Sequence, residues 1–148
     1  MENTTHDLIQ QLAILERAAS QLLNKELKPL QLNANNYFYI LKLYDNPNII
    51  QSDFNDLVNL NQSTVTRSIN SLVDIGFVEK KIAEDRRSQY LSLTIKGEKL
   101  AEKLKDKVNN LNKELNFKVD KSSSFSVIKQ LQDKMRMLND ISNSPCNK

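Results

Sequence analysis

The sequence predicts a mainly α-helical chain carrying one small β-hairpin. Three observations predict it. Through most of the 148 residues, apolar side chains recur at three- and four-residue steps, which is the period of a helix. Between residues 77 and 94 the pattern changes to short β-type runs around a polar loop, as in a hairpin. The chain has only two glycines, Gly76 and Gly97, and they flank that hairpin.

The first element is an amphipathic helix over about Asp7–Leu27. Leu8, Leu12, Leu15, Ala19, Leu22 and Leu23 fall on one stripe, and Pro29 follows the end, where a helix cannot continue. A second helix is expected over about Ala34–Tyr44, with Asn33 placed to cap its free amides. Asp45-Asn46-Pro47 ends it, because a residue before proline avoids helical geometry. A short helix then opens at Gln51 or Ser52 and runs to about Leu60, with Phe54, Leu57 and Val58 able to face inward. Leu60-Asn61-Gln62 leads directly into the next helix, Ser63–Ile75. Two helices joined by so short a polar turn suggest a helix-turn-helix, although the glycine often found in such turns is missing.

Within Ser63–Ile75, Val65, Ile69, Leu72 and Val73 stand at i, i+4, i+7 and i+8 and form one apolar face. At 100° per residue the opposite face carries Ser63, Thr64, Arg67, Asn70, Ser71 and Asp74. Four Ser/Thr among residues 63–68 cost helix propensity. Small polar side chains around one arginine suit a helix that must approach a polar surface closely, such as base edges in a DNA major groove. Gly76 stands where a helix needs a left-handed residue at its end. Phe77–Ile82 and Tyr90–Thr94 are the predicted strands, joined by the polar loop Ala83–Gln89. Thr94 is a plausible cap for a long helix whose Leu100, Leu104, Val108, Leu111 and Leu115 form a heptad-like seam. A last helix follows Ser122–Ser124, with Phe125, Ile128, Leu131, Met135, Leu138 and Ile141 on its stripe. The polar tail Asn143–Lys148 is expected to be disordered. The long N-terminal helix and the two long C-terminal helices have more apolar stripe than a small hairpin-bearing core can cover, so a second copy of the chain is the simplest partner, with a self-contained three-helix packing as the alternative.

Composition narrows the function. No apolar run approaches the ~20 residues needed to cross a bilayer, and MENTTHDLIQQ lacks the pattern of a secretory signal, so a cytoplasmic location is expected. A single cysteine, Cys146, excludes an internal disulfide framework, and with a single His6 a conventional zinc site has too few ligands. These two residues lie at opposite ends, which leaves a nucleophile–base pair without support. Two isolated glycines cannot form a phosphate-cradling loop. Neither catalysis nor a cofactor is therefore expected. Residues 1–60 carry four Lys/Arg and seven Asp/Glu, a net of −3; with +3 overall, residues 61–148 carry +6. A basic C-terminal portion fits an anionic partner but also an ordinary solvated Lys-rich helix.

Taken together, STVTRSINSLVDIGFVEKK and EDRRSQYLSLTIKG resemble the MarR family of bacterial transcriptional regulators, which are winged helix-turn-helix dimers. The first segment looks like the family's recognition helix ending in Leu-x-x-x-Gly and a strand. The second is similar to its wing, with Asp-x-Arg followed by Leu-Thr-x-x-Gly. The order of elements agrees from about Asp7 to Ile141. The resemblance implies one domain over 1–148, with a winged helix-turn-helix DNA-binding lobe over 30–95 and a helical dimerisation region over 5–28 and 96–142. It implies major-groove entry by Ser63, Thr64, Thr66, Arg67 and Asn70, with Thr66 at the edge of the outer face. Arg67 could pair with guanine or anchor on phosphate. Arg87 would be the wing-tip arginine directed into the minor groove, where negative potential is concentrated. Arg86 would meet phosphate, and Asp85 would hold the loop. Residues 61–91 hold five basic and four acidic residues, a lean footprint that places weight on geometry and dimer spacing.

The resemblance further implies a homodimeric repressor on a pseudo-palindromic operator in double-stranded DNA, released by a small phenolic or lipophilic ligand. Tyr37, Leu41 and Tyr44 form a stripe that could line such a pocket or simply belong to the core, and Arg17 could meet an anionic ligand or lie on the surface. Cys146 lacks surroundings that would lower its pKa, so no redox role is expected. The alternative is a winged-helix interaction module that has lost sequence-specific DNA binding. Arg67, Asp85 and Arg87 argue against that alternative, and the lean charge argues mildly for it.

Overall fold

The computed structural model describes residues 7–115 and 121–143. His6, Cys146 and most of the C-terminal tail lie outside the described residues, as does the Ile141 side chain. The element order is α1 (Leu8–Leu27), α2 (Tyr37–Asp45), β1 (Ile49–Ile50), α3 (Gln51–Val58), α4 (Gln62–Ile75), β2 (Val78–Ile82), β3 (Gln89–Leu93), α5 (Ile95–Glu114) and α6 (Lys121–Asn143). It is a mainly helical fold with a small antiparallel sheet, as the periodicity predicts. The chain packs as two units, residues 1–110 and 111–148.

In the first unit, Asp7 caps α1 by accepting from the Gln10 amide. After α1 a single 3-10 turn, Lys28–Leu30, begins with Pro29 near its start and ends at Gln31 in a left-handed conformation. The expected start of α2 needs correcting. Asn33 makes the capping bonds expected of it, its Oδ1 accepting from the amides of Asn35 and Asn36 while Asn36 Oδ1 accepts from the Asn33 amide, but residues 34–36 form a turn rather than regular helix. Regular helix α2 begins three residues later than Ala34, at Tyr37.

The sheet has the order β1-β3-β2. Val78 pairs with Leu93, Lys80 with Leu91 and Ile82 with Gln89, while Ile49 pairs with Leu91 on the other side. Strand β1 has two residues and falls below what alternation can reveal. Val78, Leu91 and Leu93 are buried with Leu27, Leu32, Tyr39, Ile40, Leu43, Phe54, Val65, Ile69, Leu72, Phe77, Leu100, Ala101 and Leu104 in one core. Each such aliphatic or aromatic side chain contributes about 1.5–3 kcal/mol by leaving water. The core fixes α4 through Val65, Ile69 and Leu72, the face its spacing predicts. Of the three residues expected to face inward on α3, Phe54 is buried and Val58 partly so, but Leu57 is 41% exposed.

Other stripes are left uncovered within the single chain. On α1, Leu8, Ile9, Ile14 and Leu15 are all more than half exposed. In the second unit α6 begins at Lys121, and Phe125, Val127, Met137 and Leu138 are likewise more than half exposed.

Candidate nucleic-acid interface

The turn between α3 and α4 manages without glycine because Asn59 adopts the left-handed conformation, φ 49°, that ends α3. Asparagine tolerates this region better than most residues. Asn61 then caps α4, its Oδ1 accepting from the Ser63 amide at 2.9 Å and from the Ser63 hydroxyl at 2.6 Å. At the other end Gly76, φ 91°, closes the helix through amide bonds back to Leu72 and Val73. The Lys96 ammonium donates to the Ile75 carbonyl at 3.1 Å and lies over the Phe77 ring, a favourable place for a cation at a helix C-terminus.

Pinned at both ends and buried along one face, α4 presents Ser63, Thr64, Arg67, Asn70, Ser71 and Asp74 to solvent. Thr66 is half-buried and accepts from the Gln51 side chain at 3.5 Å, so it leans toward α3. Ser63 is exposed but its hydroxyl is directed to the cap. Asn70 Oδ1 accepts from Lys80 Nζ at 2.6 Å. Lys80 was not singled out from the sequence. The available signal was alternation along β2, which puts Lys80 on the same sheet face as Val78 and therefore toward α4.

The hairpin loop is built around Asp85. The Ala83 amide donates to the Ser88 carbonyl at 2.8 Å and the Arg86 amide to the Ala83 carbonyl at 2.9 Å, closing a tight turn. Arg86 sits at the tip in a left-handed conformation, φ 57°. Asp85 Oδ1 accepts from the amides of Arg87 (2.9 Å) and Ser88 (3.0 Å), and Oδ2 accepts from the Ser88 hydroxyl (3.1 Å). The backbone amides of Ser88 and then Arg87 stabilise the carboxylate and hold its pKa below the ordinary value. Asp85 thus orders the backbone that carries Arg86 and Arg87, both exposed.

The residues considered for a small ligand are not assembled in one place. A cleft of about 570 Å³ is lined by Tyr44 with Asn48, Ser92, Glu98 and Glu102 among others, but by neither Tyr37 nor Arg17. Tyr37 packs edge-on against Phe38, Arg17 is exposed on α1, and the Lys105 ammonium lies 4.0 Å over the Tyr44 ring. Among the described residues no group of three or more His, Cys, Asp or Glu could hold a metal ion, and no helix is long and apolar enough to cross a membrane.

A three-helix core, a three-stranded sheet, an exposed helix seated by its partner and a hairpin loop beside it define a winged helix-turn-helix protein. The comparisons extend this. Residues 32–89 match the model of the MarR family. The HTH-type transcriptional regulator YybA of Bacillus subtilis is 30% identical over 96 residues, which span 64% of this chain and 64% of the relative's length. A MarR transcriptional regulator from Methanosarcina mazei superposes with a TM-score of 0.68 at 25% identity, covering 89% of this chain and 96% of that one. A MarR-family regulator from Listeria monocytogenes, solved with a 26mer DNA, shares the fold at a TM-score of 0.72 and 20% identity over 95% of this chain and 91% of its own. The chain is thus similar to the MarR family over its winged helix-turn-helix region.

Proposed function

We propose that this protein is a sequence-specific DNA-binding transcriptional regulator, acting as a homodimeric repressor that a small ligand releases. The observation that carries the reading is the exposed polar face of α4 beside a hairpin loop whose arginines stand on an ordered backbone. Small hydroxyl and amide side chains let a helix lie deep in a major groove, and Arg67 supplies charge for phosphate or guanine. Arg87 is the residue for the minor groove and Arg86 for the flanking phosphates. The DNA complex of the Listeria relative supports the same use of the fold.

The second copy is argued from the apolar residues left exposed on α1 and α6, which soluble monomers rarely leave in quantity. Two copies would set their α4 helices about 34 Å apart, one helical turn of DNA. The polypeptide carries the function without catalysis, in the cytoplasm where its DNA lies. Tyr44 and its cleft are the place for a ligand in this reading.

Fluorescence anisotropy tests it, with duplex from upstream of the protein's own gene against a scrambled duplex across a salt series. Tight, selective binding that weakens steeply with salt is expected. Equal weak binding to every genomic duplex offered would favour a module that reads protein instead.

A further inference from the structure

The first turns of α5 hold a concentration of like charge that the fold does not neutralise. Lys96, Lys99 and Lys103 stand at i, i+3 and i+7, within an arc of about 60° and about 10 Å of helix. Like charges at these steps destabilise a helix. Among the described residues, the ion pairs of α5 engage Lys105 with Asp45 and Lys107 with Glu26, and neither Lys99 nor Lys103 has an acidic partner.

The three lysines border a cavity of about 300 Å³ between the turn after α1, the start of β2 and α5. Its other lining residues are Pro29, Leu30, Gln31, Phe77 and Leu100, of which Phe77 and Leu100 are buried. The floor is therefore apolar and the rim cationic, and among the described residues no carboxylate lines it. Lys96 is held at the mouth, its ammonium 4.8 Å from the centre of the Phe77 ring and donating to the Ile75 carbonyl. An ammonium has three N–H donors, so two remain for a ligand.

We propose that this cavity binds a small amphiphilic carboxylate, its apolar body against Leu30, Phe77 and Leu100 and its charge among Lys96, Lys99 and Lys103. Pockets that take small molecules join an apolar wall to a few convergent polar groups, and here the charged groups are all cations. The volume holds about ten groups the size of a water molecule, which suits an acid such as octanoate. A bare inorganic anion leaves the floor uncovered, and an uncharged alcohol leaves the lysines unpaired. The site shares no lining residue with the Tyr44 cleft, where Glu98 and Glu102 disfavour an anion. Binding here is independent of DNA, although Lys96 links the ligand to the last residue of α4.

Titration of the full chain with octanoate, octan-1-ol and inorganic phosphate, followed by calorimetry and amide NMR shifts, tests the site. Saturable octanoate binding is expected, with shifts at the amides of Gln31, Phe77 and Leu100. Octan-1-ol and phosphate should each bind about tenfold more weakly or worse, having lost the charged hydrogen bonds or the apolar contact. The double variant Lys99→Gln/Lys103→Gln keeps Lys96 on the end of α4 and should lower octanoate affinity by about tenfold. Both side chains are exposed, and a wild-type circular dichroism spectrum separates lost binding from misfolding. Octan-1-ol binding as tightly as octanoate would overturn the proposal, since the groove would then be apolar without charge selection. So would phosphate binding as tightly, shifts confined to the Tyr44 cleft, no saturable octanoate binding, or a double variant with wild-type affinity.

Discussion

Gly97 in the first turn of α5 lies directly under Phe77, so close that a β-carbon at position 97 would overlap the Phe77 carbonyl oxygen. That oxygen cannot retreat, because it accepts from the Thr94 amide at 3.0 Å. Thr94 in turn donates its hydroxyl to the Gly76 carbonyl at 2.6 Å and accepts from the Gly97 amide at 3.0 Å. The end of α4, the start of β2 and the start of α5 are tied together within a few ångströms. The wing and the candidate recognition helix are thereby held as one piece.

Gly97→Ala should destabilise the fold by about 1–3 kcal/mol, the usual cost of forcing atoms into a packed site. The backbone on both sides is pinned, so the upper part of that range is expected. Urea denaturation followed by circular dichroism measures it, and an unchanged midpoint would mean that α5 can shift away from Phe77.

Thr94→Val removes a helix cap and a donor to Gly76 while keeping the side chain's shape. A loss of about 1–2 kcal/mol is expected from the same denaturation experiment. Thr94→Ser should retain most of the stability, since only the hydroxyl is needed for both bonds.

Asp85→Ala should leave global stability nearly unchanged, because the loop is exposed, yet speed hydrogen exchange at the Arg87 and Ser88 amides. The same amides should respond to acid. The carboxylate's pKa is lowered in the folded loop, so its contribution is present above the ordinary carboxylate range. It fades as pH falls through the lowered value, below about pH 4. Amide shifts of Arg87 and Ser88 that stay flat from pH 6 to pH 2 would contradict the role given to Asp85.

Arg87→Ala should weaken operator binding by about 1–3 kcal/mol without altering the oligomeric state. Anisotropy titration and sedimentation together check this. An unchanged affinity would mean that the loop does not reach DNA.

Asn61→Ala removes the cap of α4 and should cost about 1 kcal/mol in denaturant unfolding. It also releases the Ser63 hydroxyl that Asn61 now accepts. DNA affinity is expected to fall with the fraying of the first turn of α4, in which Ser63 and Thr64 lie.

Sequence periodicity by itself determined the helices, the hairpin and the outer face of α4. Each rests on local spacing: three- and four-residue steps put Val65, Ile69 and Leu72 on one side, and Ser63, Thr64, Arg67 and Asn70 on the other. Gly76 and Thr94 were legible for the same reason, since caps depend on a handful of neighbouring residues. Contacts between segments far apart in the chain were decided only by the tertiary structure. Strand β1 exists only because β3 is there to pair with it. Lys80 reaches Asn70 across ten residues of sequence through strand register, and Gly97 is required by a carbonyl twenty residues earlier. Periodicity tells a residue which way to face, but only packing tells it what it will meet there.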